Sequence, residues 1–333
     1  MPDKSLDVVA VGNAIVDILT QSDDAFLSRH ALKKGAMTLM DTGQAEALYA
    51  AMGPGIEVSG GSAANTIAGI ASLGGRTAFI GKVRDDQLGT VYQHDLRALG
   101  VEFPTKAATQ GPGTGRCYIL VTPDAQRTMN TYLGAAVELG PSDIDPALVA
   151  RAKVLYLEGY LWDRPDAKDA LRKAADAAHK AGTKVAFSLS DAFCVHRWRD
   201  EFRKLIQSRV DILFANETEI TALYEVNSFD DAVPLVRKDV EVAALTRSEL
   251  GAVIVHGDKT EKIAAERVAK VVDTTGAGDL YAAGFLSGYV QGKDLANCGR
   301  MGAVAAAEII SHFGARPETP LKDLMKKKLG ATA

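Results

Sequence analysis

The chain has 333 residues, of which 47% are hydrophobic and 24% are charged, and its formal net charge is −4. This length allows one large hydrophobic core with a smaller appended unit. Because the chain has no basic excess and no run of the ~18 apolar residues that a membrane span needs, we expect it to bind neither nucleic acid nor membrane.

Apolar, strand-like runs alternate with helix-like segments along most of the chain. The pattern predicts strands at 7–12, 76–83, 153–159, 184–190, 210–216, 240–248, 251–257 and 267–272. It predicts helices at 62–74, 87–100, 164–182, 200–208, 217–225 and 280–290. Strands rich in Val and Ile that alternate with helices are typical of a parallel sheet with both faces covered, so we predict an α/β fold.

Two regions interrupt this alternation. Residues 13–20 and 36–41 resemble short strands, and residues 101–133 contain a pattern typical of a β-hairpin around the turn "TPDAQ". We predict a body made of residues 1–12, 42–100 and 134–333, with a small β lid made of residues 13–41 and 101–133. Binding sites often lie where two such units meet.

The segment "DTTGAGD" at 273–279 lies between a predicted strand and a predicted helix. A glycine-rich turn at a helix N-terminus leaves backbone N–H groups free, and the helix dipole adds positive charge, so the turn suits a phosphate group. Asp279 would repel an anion there unless it faces a hydroxyl whose proton must leave during attack on phosphorus. A helix cap at a plain turn explains these seven residues equally well.

Three further polar sites stand near predicted strands or helices. Asn65, in "SGGSAANT", either begins a helix or binds a substrate hydroxyl. Asp17, in the apolar run "VGNAIVDIL", either faces solvent or binds the hydroxyl groups of a diol ligand. Asn216 and Glu219, in "ANETEI", either begin a helix or contact Mg²⁺ through water.

The sequence lacks the signature motifs of several common enzyme classes. The sequence has no GxxxxGK[ST] loop, no GxGxxG after the first strand, no HExxH and no GxSxG. Their absence argues against P-loop, dinucleotide-binding, zinc-protease and serine-hydrolase sites. Three widely spaced cysteines without a CxxC pair, and the lack of a secretory signal at the start, favour a cytoplasmic location.

In this order, "GGSAANTIAGIASLGG", "NETE" and "DTTGAGD" resemble the signatures of the ribokinase-like (PfkB) family of carbohydrate and nucleoside kinases, over nearly the whole chain. The resemblance implies a three-layer α/β/α body with a mostly parallel sheet and a small β-strand lid. It implies an ATP-dependent kinase in which Asp279 is the general base. The amides of Gly276, Ala277 and Gly278 would form the anion hole for the transferring phosphoryl group.

The resemblance also implies binding residues for the acceptor and for ATP on either side of Asp279 and the anion hole. The acceptor would be bound by Asn13, Asp17, Gly60, Gly61, Ser62 and Asn65. ATP would contact Asn216, Thr246, Ser248, Gly251, Gly276, Gly278 and Ala303, and Ser248 stands where the family more often has glycine. Asn216 and Glu219 would support Mg²⁺ through water, and many members bind a monovalent cation such as K⁺ near the anion hole.

The acceptor is suggested by one substitution. Ser62 replaces the lysine of the ribokinase segment "GGKGAN", and "GNAIVDI" together with "GGSAAN" looks more like the adenosine-phosphorylating members. We therefore expect transfer of the γ-phosphoryl group of ATP to the 5′-hydroxyl of adenosine. We expect the protein to be a monomer or a homodimer. By that pattern the base pocket would be lined by Ile15, Met37, Cys117, Met129, Thr131, Tyr160 and Phe193. For about half of these residues, simple burial in the core is the better explanation.

Two other functions remain open. The same chemistry could act on ribose, fructose or 2-keto-3-deoxygluconate. A non-catalytic nucleoside-binding protein on this fold is a further alternative, against which the intact "GAGD" segment argues.

Overall fold

Two β-sheets organise the chain, for which a computed structural model describes residues 4–330. The strands are β1 (Leu6–Val11), β2 (Ile15–Gln21), β3 (Met37–Leu39), β4 (Ile56–Gly60), β5 (Thr77–Ile80), β6 (Gly115–Val121), β7 (Arg127–Tyr132), β8 (Ala152–Glu158), β9 (Lys184–Ser188), β10 (Ile212–Asn216), β11 (Val242–Thr246), β12 (Ala252–His256) and β13 (Lys259–Ile263).

Twelve α-helices lie within the described residues. They are α1 (Asp24–Arg29), α2 (Thr42–Ala51), α3 (Ser62–Ser72), α4 (Gln87–Ala98), α5 (Pro146–Ala150), α6 (Pro165–Lys180), α7 (Ala192–Arg209), α8 (Glu217–Tyr224), α9 (Phe229–Asp239), α10 (Ala277–Val290), α11 (Leu295–Ile309) and α12 (Leu321–Leu329). Within residues 4–330, none of them is long and apolar enough to cross a membrane.

The larger sheet has the strand order β13-β12-β11-β10-β9-β8-β1-β5. Strands β11 through β5 in this order are parallel, and β12 pairs antiparallel with both β11 and β13. Alternate residues of β1 face opposite sides, so Val8 and Ala10 pack with α3 and α10, whereas Val9 and Val11 pack with α6 and α7. This three-layer arrangement confirms the predicted ribokinase-like α/β fold.

The smaller sheet has the order β3-β7-β6-β2-β4. Four of its strands come from the two segments predicted to form a lid, 13–41 and 101–133, and β6 and β7 form the predicted hairpin. The fifth strand, β4, lies in the segment 42–100, which we had assigned to the body. That assignment is wrong for residues 56–60, because they pair with β2 along the whole strand.

The strand predicted at 267–272, ahead of "DTTGAGD", is also wrong. These residues have no regular secondary structure and run along the surface after the edge strand β13. Val271 is 40% exposed. The Val272 amide donates a hydrogen bond to the carbonyl of Ile310, at 2.8 Å, and not to a neighbouring strand. A valine-rich run predicts a strand only where a neighbouring strand can pair with it.

Gly284 allows α10 and α11 to pack closely on one face of the large sheet. A Cβ atom at Gly284 would overlap the backbone of Met301 and lie 2.7 Å from the amide nitrogen of Gly302. We expect Gly284→Ala to lower the free energy of unfolding by about 1–3 kcal/mol, because the added methyl forces the two helices apart. Urea unfolding followed by circular dichroism would measure this.

The matched control is Gly43→Ala in the exposed helix α2, where the nearest atom to the new Cβ, an Asp41 carboxylate oxygen, lies 3.6 Å away. Alanine favours helix over glycine, so this variant should gain up to about 1 kcal/mol. Equal stability of the two variants would show that the α10–α11 contact is not tight.

Candidate active site

A cavity of about 1120 Å³ lies where the carboxyl ends of the parallel strands face the smaller sheet. This position agrees with the rule that ligands bind outside the carboxyl ends of strands in open α/β sheets. Every residue that the sequence assigned to a site lines this cavity, except Gly60. The lining residues among those assigned are Asn13, Ile15, Asp17, Met37, Gly61, Ser62, Asn65, Cys117, Met129, Thr131, Tyr160, Phe193, Asn216, Glu219, Thr246, Ser248, Gly251, Gly276, Ala277, Gly278, Asp279 and Ala303.

The "GAGD" segment forms the first turn of α10. Gly276 is the residue before the helix and has a left-handed backbone with φ of 79°, which glycine adopts without strain. No atom lies within 4 Å of a Cβ built on Gly278, so the cavity is open in front of that residue. The amide of Ala277 donates to the carbonyl of Thr274 at 3.3 Å. Of the three amides predicted to form an anion hole, one therefore already has a partner within the turn.

Asp279 is held by two residues of α3. Ser62 donates its hydroxyl to Oδ1 at 2.6 Å, and the Asn65 side chain donates Nδ2 to Oδ2 at 3.0 Å. Burial raises the pKa of Asp279, and these two hydrogen bonds lower it again in part. Both α3 residues were predicted to bind the acceptor, and the structure places them on the carboxylate that was predicted to act as the base.

Asp17 lies in β2 and faces the cavity, with only 5% of its surface exposed. Within residues 4–330, no group donates a hydrogen bond to its carboxylate. Burial raises the pKa of Asp17 to about 7, and the positive charge of Arg316 opposes this shift. Gly60 packs behind the carboxylate, where a Cβ atom would overlap it. Gly60 is therefore a support for Asp17 and does not line the cavity.

Asn65 has a free acceptor beside these carboxylates. Because its Nδ2 donates to Asp279, its Oδ1 is the atom left over, and that oxygen is buried without a hydrogen-bond partner. Asp17 and Asn65 both line the cavity, and each has an acceptor that no group of residues 4–330 satisfies. An uncharged ligand with several hydroxyl groups would satisfy both, because each hydroxyl donates one hydrogen bond.

The smaller sheet gives the neighbouring wall an apolar character. Alternate residues of β2, β3, β6 and β7 point into the cavity. The apolar side chains on this wall are Ile15, Met37, Leu39, Cys117, Ile119 and Met129. Thr131 stands among them and donates its hydroxyl to the sulfur of Cys117 at 3.2 Å. Burial raises the pKa of the Cys117 thiol to about 12, so the thiol is neutral.

Asn216 and Glu219 form a reciprocal cap at the start of α8. The Asn216 side chain accepts from the Glu219 amide at 2.8 Å, and the Glu219 carboxylate accepts from the Asn216 amide at 2.9 Å. The helix-start alternative is therefore correct, and it leaves both side chains at the cavity wall. Burial raises the pKa of Glu219 to about 7. Within residues 4–330, no cluster of three or more His, Cys, Asp or Glu side chains is arranged to hold a metal ion.

The turn after β11 forms the far end of the cavity, with Thr246 at the strand end. Ser248 has a left-handed backbone with φ of 50°, which explains why glycine is more usual at that position. Gly251 also has a positive φ, and a Cβ atom there would overlap the carbonyl of Ile263. Arg247 forms two 3.0 Å hydrogen bonds to Glu217, which fixes this turn against α8.

Three charged residues at or near the cavity were missed by the sequence analysis. Glu158 ends β8, Arg127 begins β7, and Arg316 follows α11. Glu158 and Arg127 line the cavity. Arg127 forms no ion pair with any carboxylate of residues 4–330, and its charge opposes the raised pKa values of Asp17, Glu219 and Asp279. None of the three lies in a motif with fixed spacing, so no local signal marked them.

Comparison with known proteins gives a consistent picture. The pfkB family of carbohydrate kinases matches residues 56–322. An adenosine kinase from Sinorhizobium meliloti is 53% identical, with a TM-score of 0.94, over 97% of this chain and 99% of that one. A probable sugar kinase from Rhizobium etli CFN 42 is 50% identical, with a TM-score of 0.95, over 97% and 98% of the two chains. The adenosine kinase of Saccharomyces cerevisiae is 26% identical over 96% of this chain and 99% of its own length.

The buried carboxylates make stability depend on pH. A carboxyl group whose pKa is raised by folding favours the native state below its unfolded pKa, and this contribution is lost as the pH rises through the folded value. For Asp17 that window runs from its ordinary value of 3.8 up to about 7. Between about pH 5 and 8 we expect the free energy of unfolding to fall by about 1–3 kcal/mol more in the wild type than in Asp17→Asn. Urea titrations followed by tryptophan fluorescence would measure the difference.

Asp124→Asn serves as the control, because Asp124 is exposed and hydrogen bonds from Lys34 lower its pKa to about 2. It stays ionised throughout the tested range, so this variant should keep the pH slope of the wild type. The explanation fails if Asp17→Asn and the wild type have the same slope.

Proposed function

The chain belongs to the pfkB family of carbohydrate kinases, and we propose that it transfers the γ-phosphoryl group of ATP to the 5′-hydroxyl of adenosine, giving AMP and ADP. The choice of adenosine as the acceptor rests on one observation. The unpaired acceptors of Asp17 and Asn65 adjoin an apolar wall in the same cavity, and a nucleoside has a ribose diol beside an apolar base. A free sugar has no part that would use the apolar wall.

On the acceptor side, Asp17 and Asn65 would accept hydrogen bonds from the ribose hydroxyls. The base would lie against Ile15, Met37 and Met129, which come from three strands of the smaller sheet. Satisfying Asp17 in this way removes the penalty of a buried carboxylate that lacks a donor. Nucleoside binding would therefore stabilise the cavity as well as fill it.

On the phosphoryl side, Asp279 would take the proton of the 5′-hydroxyl as that oxygen attacks phosphorus. The free amides in the first turn of α10 would stabilise the negative charge on the transferring group. Movement of the smaller sheet toward the body would exclude water and limit hydrolysis of ATP. These three contributions position and stabilise the reacting groups, which is most of what phosphoryl transfer requires.

The same cavity would also hold the cofactors that such a reaction needs. The oxygens of Asn216 and Glu219 lie at its wall, and hard oxygen ligands suit Mg²⁺ held through water. When bound, Mg²⁺ neutralises charge on the phosphates. The turn at Thr246, Ser248 and Gly251, with Ala303 of α11, would hold the remainder of ATP. A monovalent cation beside the anion hole stays a prediction, which activity in K⁺ compared with a tetraalkylammonium salt would test.

Asp279→Asn tests the base. Asparagine keeps the shape and can still bond to Ser62, but it cannot accept the proton. We expect kcat to fall by at least ~10²-fold while the KM for adenosine changes little. ADP release in a coupled assay would measure both constants. A variant with nearly normal kcat would remove Asp279 from the role of base.

The acceptor is tested by a substrate panel with ATP and Mg²⁺. We expect the highest kcat/KM with adenosine and at least ~10²-fold lower values with ribose, fructose and 2-keto-3-deoxygluconate, because a free sugar leaves the apolar wall in contact with water. A preference for one of the sugars would keep the family assignment and overturn the choice of acceptor. Adenosine binding in calorimetry without ADP release would favour a non-catalytic binding protein.

A further inference from the structure

Two hydroxyl groups on one face of α3 hold the same residue of α10. Ser62, the first residue of α3, donates its hydroxyl to Oδ1 of Asp279 at 2.6 Å. One turn later, Thr66 donates its hydroxyl to the main-chain carbonyl of Asp279 at 3.1 Å. The side chain of Asp279 and its backbone are therefore fixed to α3 by separate hydrogen bonds.

The packing of the two helices leaves Ser62 little freedom to move away from Asp279. A Cβ atom at Gly69 of α3 would lie 2.6 Å from the Leu280 side chain and 2.7 Å from that of Ala283, both in α10. Contact this close requires glycine and sets the distance between the helices. Because Ser62 stands two turns before Gly69 on the same face of α3, its hydroxyl is held at bonding distance from the carboxylate.

Each oxygen of the Asp279 carboxylate receives one donor. Ser62 bonds to Oδ1, and Nδ2 of Asn65 bonds to Oδ2 at 3.0 Å. The 2.6 Å distance is in the range of a hydrogen bond from a hydroxyl to an ionised carboxylate. A carboxylate held at both oxygens cannot turn about its last bond, so its free lone pairs keep one direction. Asp279 is only partly buried and lines the cavity, so a ligand can reach those lone pairs.

Ser62 differs from Asn65 in what it can still offer a ligand. A hydroxyl has one proton to donate, and in Ser62 that proton goes to Asp279. Asn65 keeps a buried oxygen, Oδ1, without a hydrogen-bond partner. The sequence assigned both residues to acceptor binding, but their contacts differ. Asn65 has an atom left for a ligand, whereas the only donor of Ser62 is used within the protein.

We propose that Ser62 is a positioning residue, whose hydroxyl orients the carboxylate of Asp279 for proton transfer rather than binding the acceptor. This inference rests on the proposed function in treating Asp279 as the base. A base that takes a proton from an attacking hydroxyl must point a lone pair along that O–H bond. The hydrogen bond from Ser62 also favours the ionised form of Asp279, so it opposes the effect of burial on the pKa of that carboxyl.

Other charged and titratable groups interact with Asp279 as well. Positive charges favour its ionised form, whereas other ionised acids oppose it. The groups are Arg127 of β7, Arg316 between α11 and α12, Asp17 of β2, Tyr156 and Glu158 of β8, and Glu219 of α8. Replacing Ser62 by another uncharged residue leaves all of them in place, so a change in the pKa of Asp279 would report the lost hydrogen bond.

Ser62→Ala and Ser62→Thr test this role, because alanine removes the hydroxyl and threonine keeps it. In Ser62→Ala we expect kcat to fall by about 10-fold or more, with a change of less than about 2-fold in the KM for adenosine. The acid limb of kcat/KM against pH should move upward by roughly 1 pH unit. Ser62→Thr should keep the limb and most of kcat. A raised KM with unchanged kcat in Ser62→Ala would make Ser62 an acceptor-binding residue and overturn the proposal, as would an unmoved acid limb.

Thr66→Val is the matched control. It removes the other hydroxyl on the same face of α3, which bonds to the backbone of Asp279 and not to its carboxylate. The acid limb of this variant should keep the wild-type position, whatever the variant does to stability. An equal shift in Thr66→Val would show that the limb reports on the packing of α3 against α10, and it would overturn the role of the Ser62 hydroxyl.

A second measurement needs no turnover, so it separates this inference from the proposed function. Difference infrared spectroscopy of the free protein across a pH titration detects protonated carboxyl groups, and subtraction of the Asp279→Asn spectrum assigns the signal of Asp279. We expect the pKa of Asp279 to be higher by roughly 1 unit in Ser62→Ala and unchanged in Thr66→Val. That shift without turnover of adenosine would overturn the proposed function alone. Normal turnover with the same pKa in Ser62→Ala and the wild type would overturn this inference alone.

Discussion

The carboxylate of Glu158 joins the two sheets where the chain crosses between them. Oε1 accepts hydrogen bonds from the amide of Asn13 at 2.7 Å and from its side chain at 2.9 Å, and Oε2 accepts from the amide of Ala63 at 2.7 Å. Asn13 lies between β1 and β2, and Ala63 follows the crossing from β4 to α3. Gly61, which precedes α3, has no side chain to cap the helix, so a residue of β8 supplies the cap. The orientation of α3, and with it Ser62 and Asn65, depends on this one buried group.

The buried acids of the cavity differ in how far the protein satisfies them. Glu158 has three N–H donors, Glu219 has the Asn216 cap, and Asp279 has Ser62 and Asn65. Asp17 has none within the described residues. An acid left without a donor in the fold is available to accept hydrogen bonds from a ligand. This difference in partners distinguishes Asp17 from Glu158, Glu219 and Asp279, although burial raises the pKa of each.

The sequence predicted the body better than the smaller sheet. Long helices such as α6 and buried strands such as β1 have strong periodicity and clear ends, which local rules detect. The strand β4 was assigned to the wrong unit because pairing with β2 is a non-local choice that no local pattern encodes. The run at 267–272 has the composition of a strand but no neighbour to pair with. Composition determines the tendency to form a strand, and tertiary contacts decide whether it forms.

The difference between local sequence patterns and tertiary contacts also applies to the residues of the site. Asp279 and Asn65 were predicted as site residues because they lie in glycine-rich segments, and Asp17 because it is an acid in an apolar run. Glu158, Arg127 and Arg316 act from distant parts of the chain, and each resembles an ordinary surface charge in its own segment. Their effect appears only once the fold brings these charges together with the acids of the cavity. Supporting residues of this kind are therefore harder to predict than the groups they support.

Asn65 links the two halves of the chemistry through the orientation of one amide. Its Nδ2 donates to the carboxylate of Asp279, which is the favourable direction while that carboxylate is ionised. The same orientation leaves Oδ1 buried without a hydrogen-bond partner. A protonated Asp279 would no longer need the donor, and the amide could turn its other end to the ligand. The ionisation of Asp279 and the orientation of the Asn65 amide are thus coupled.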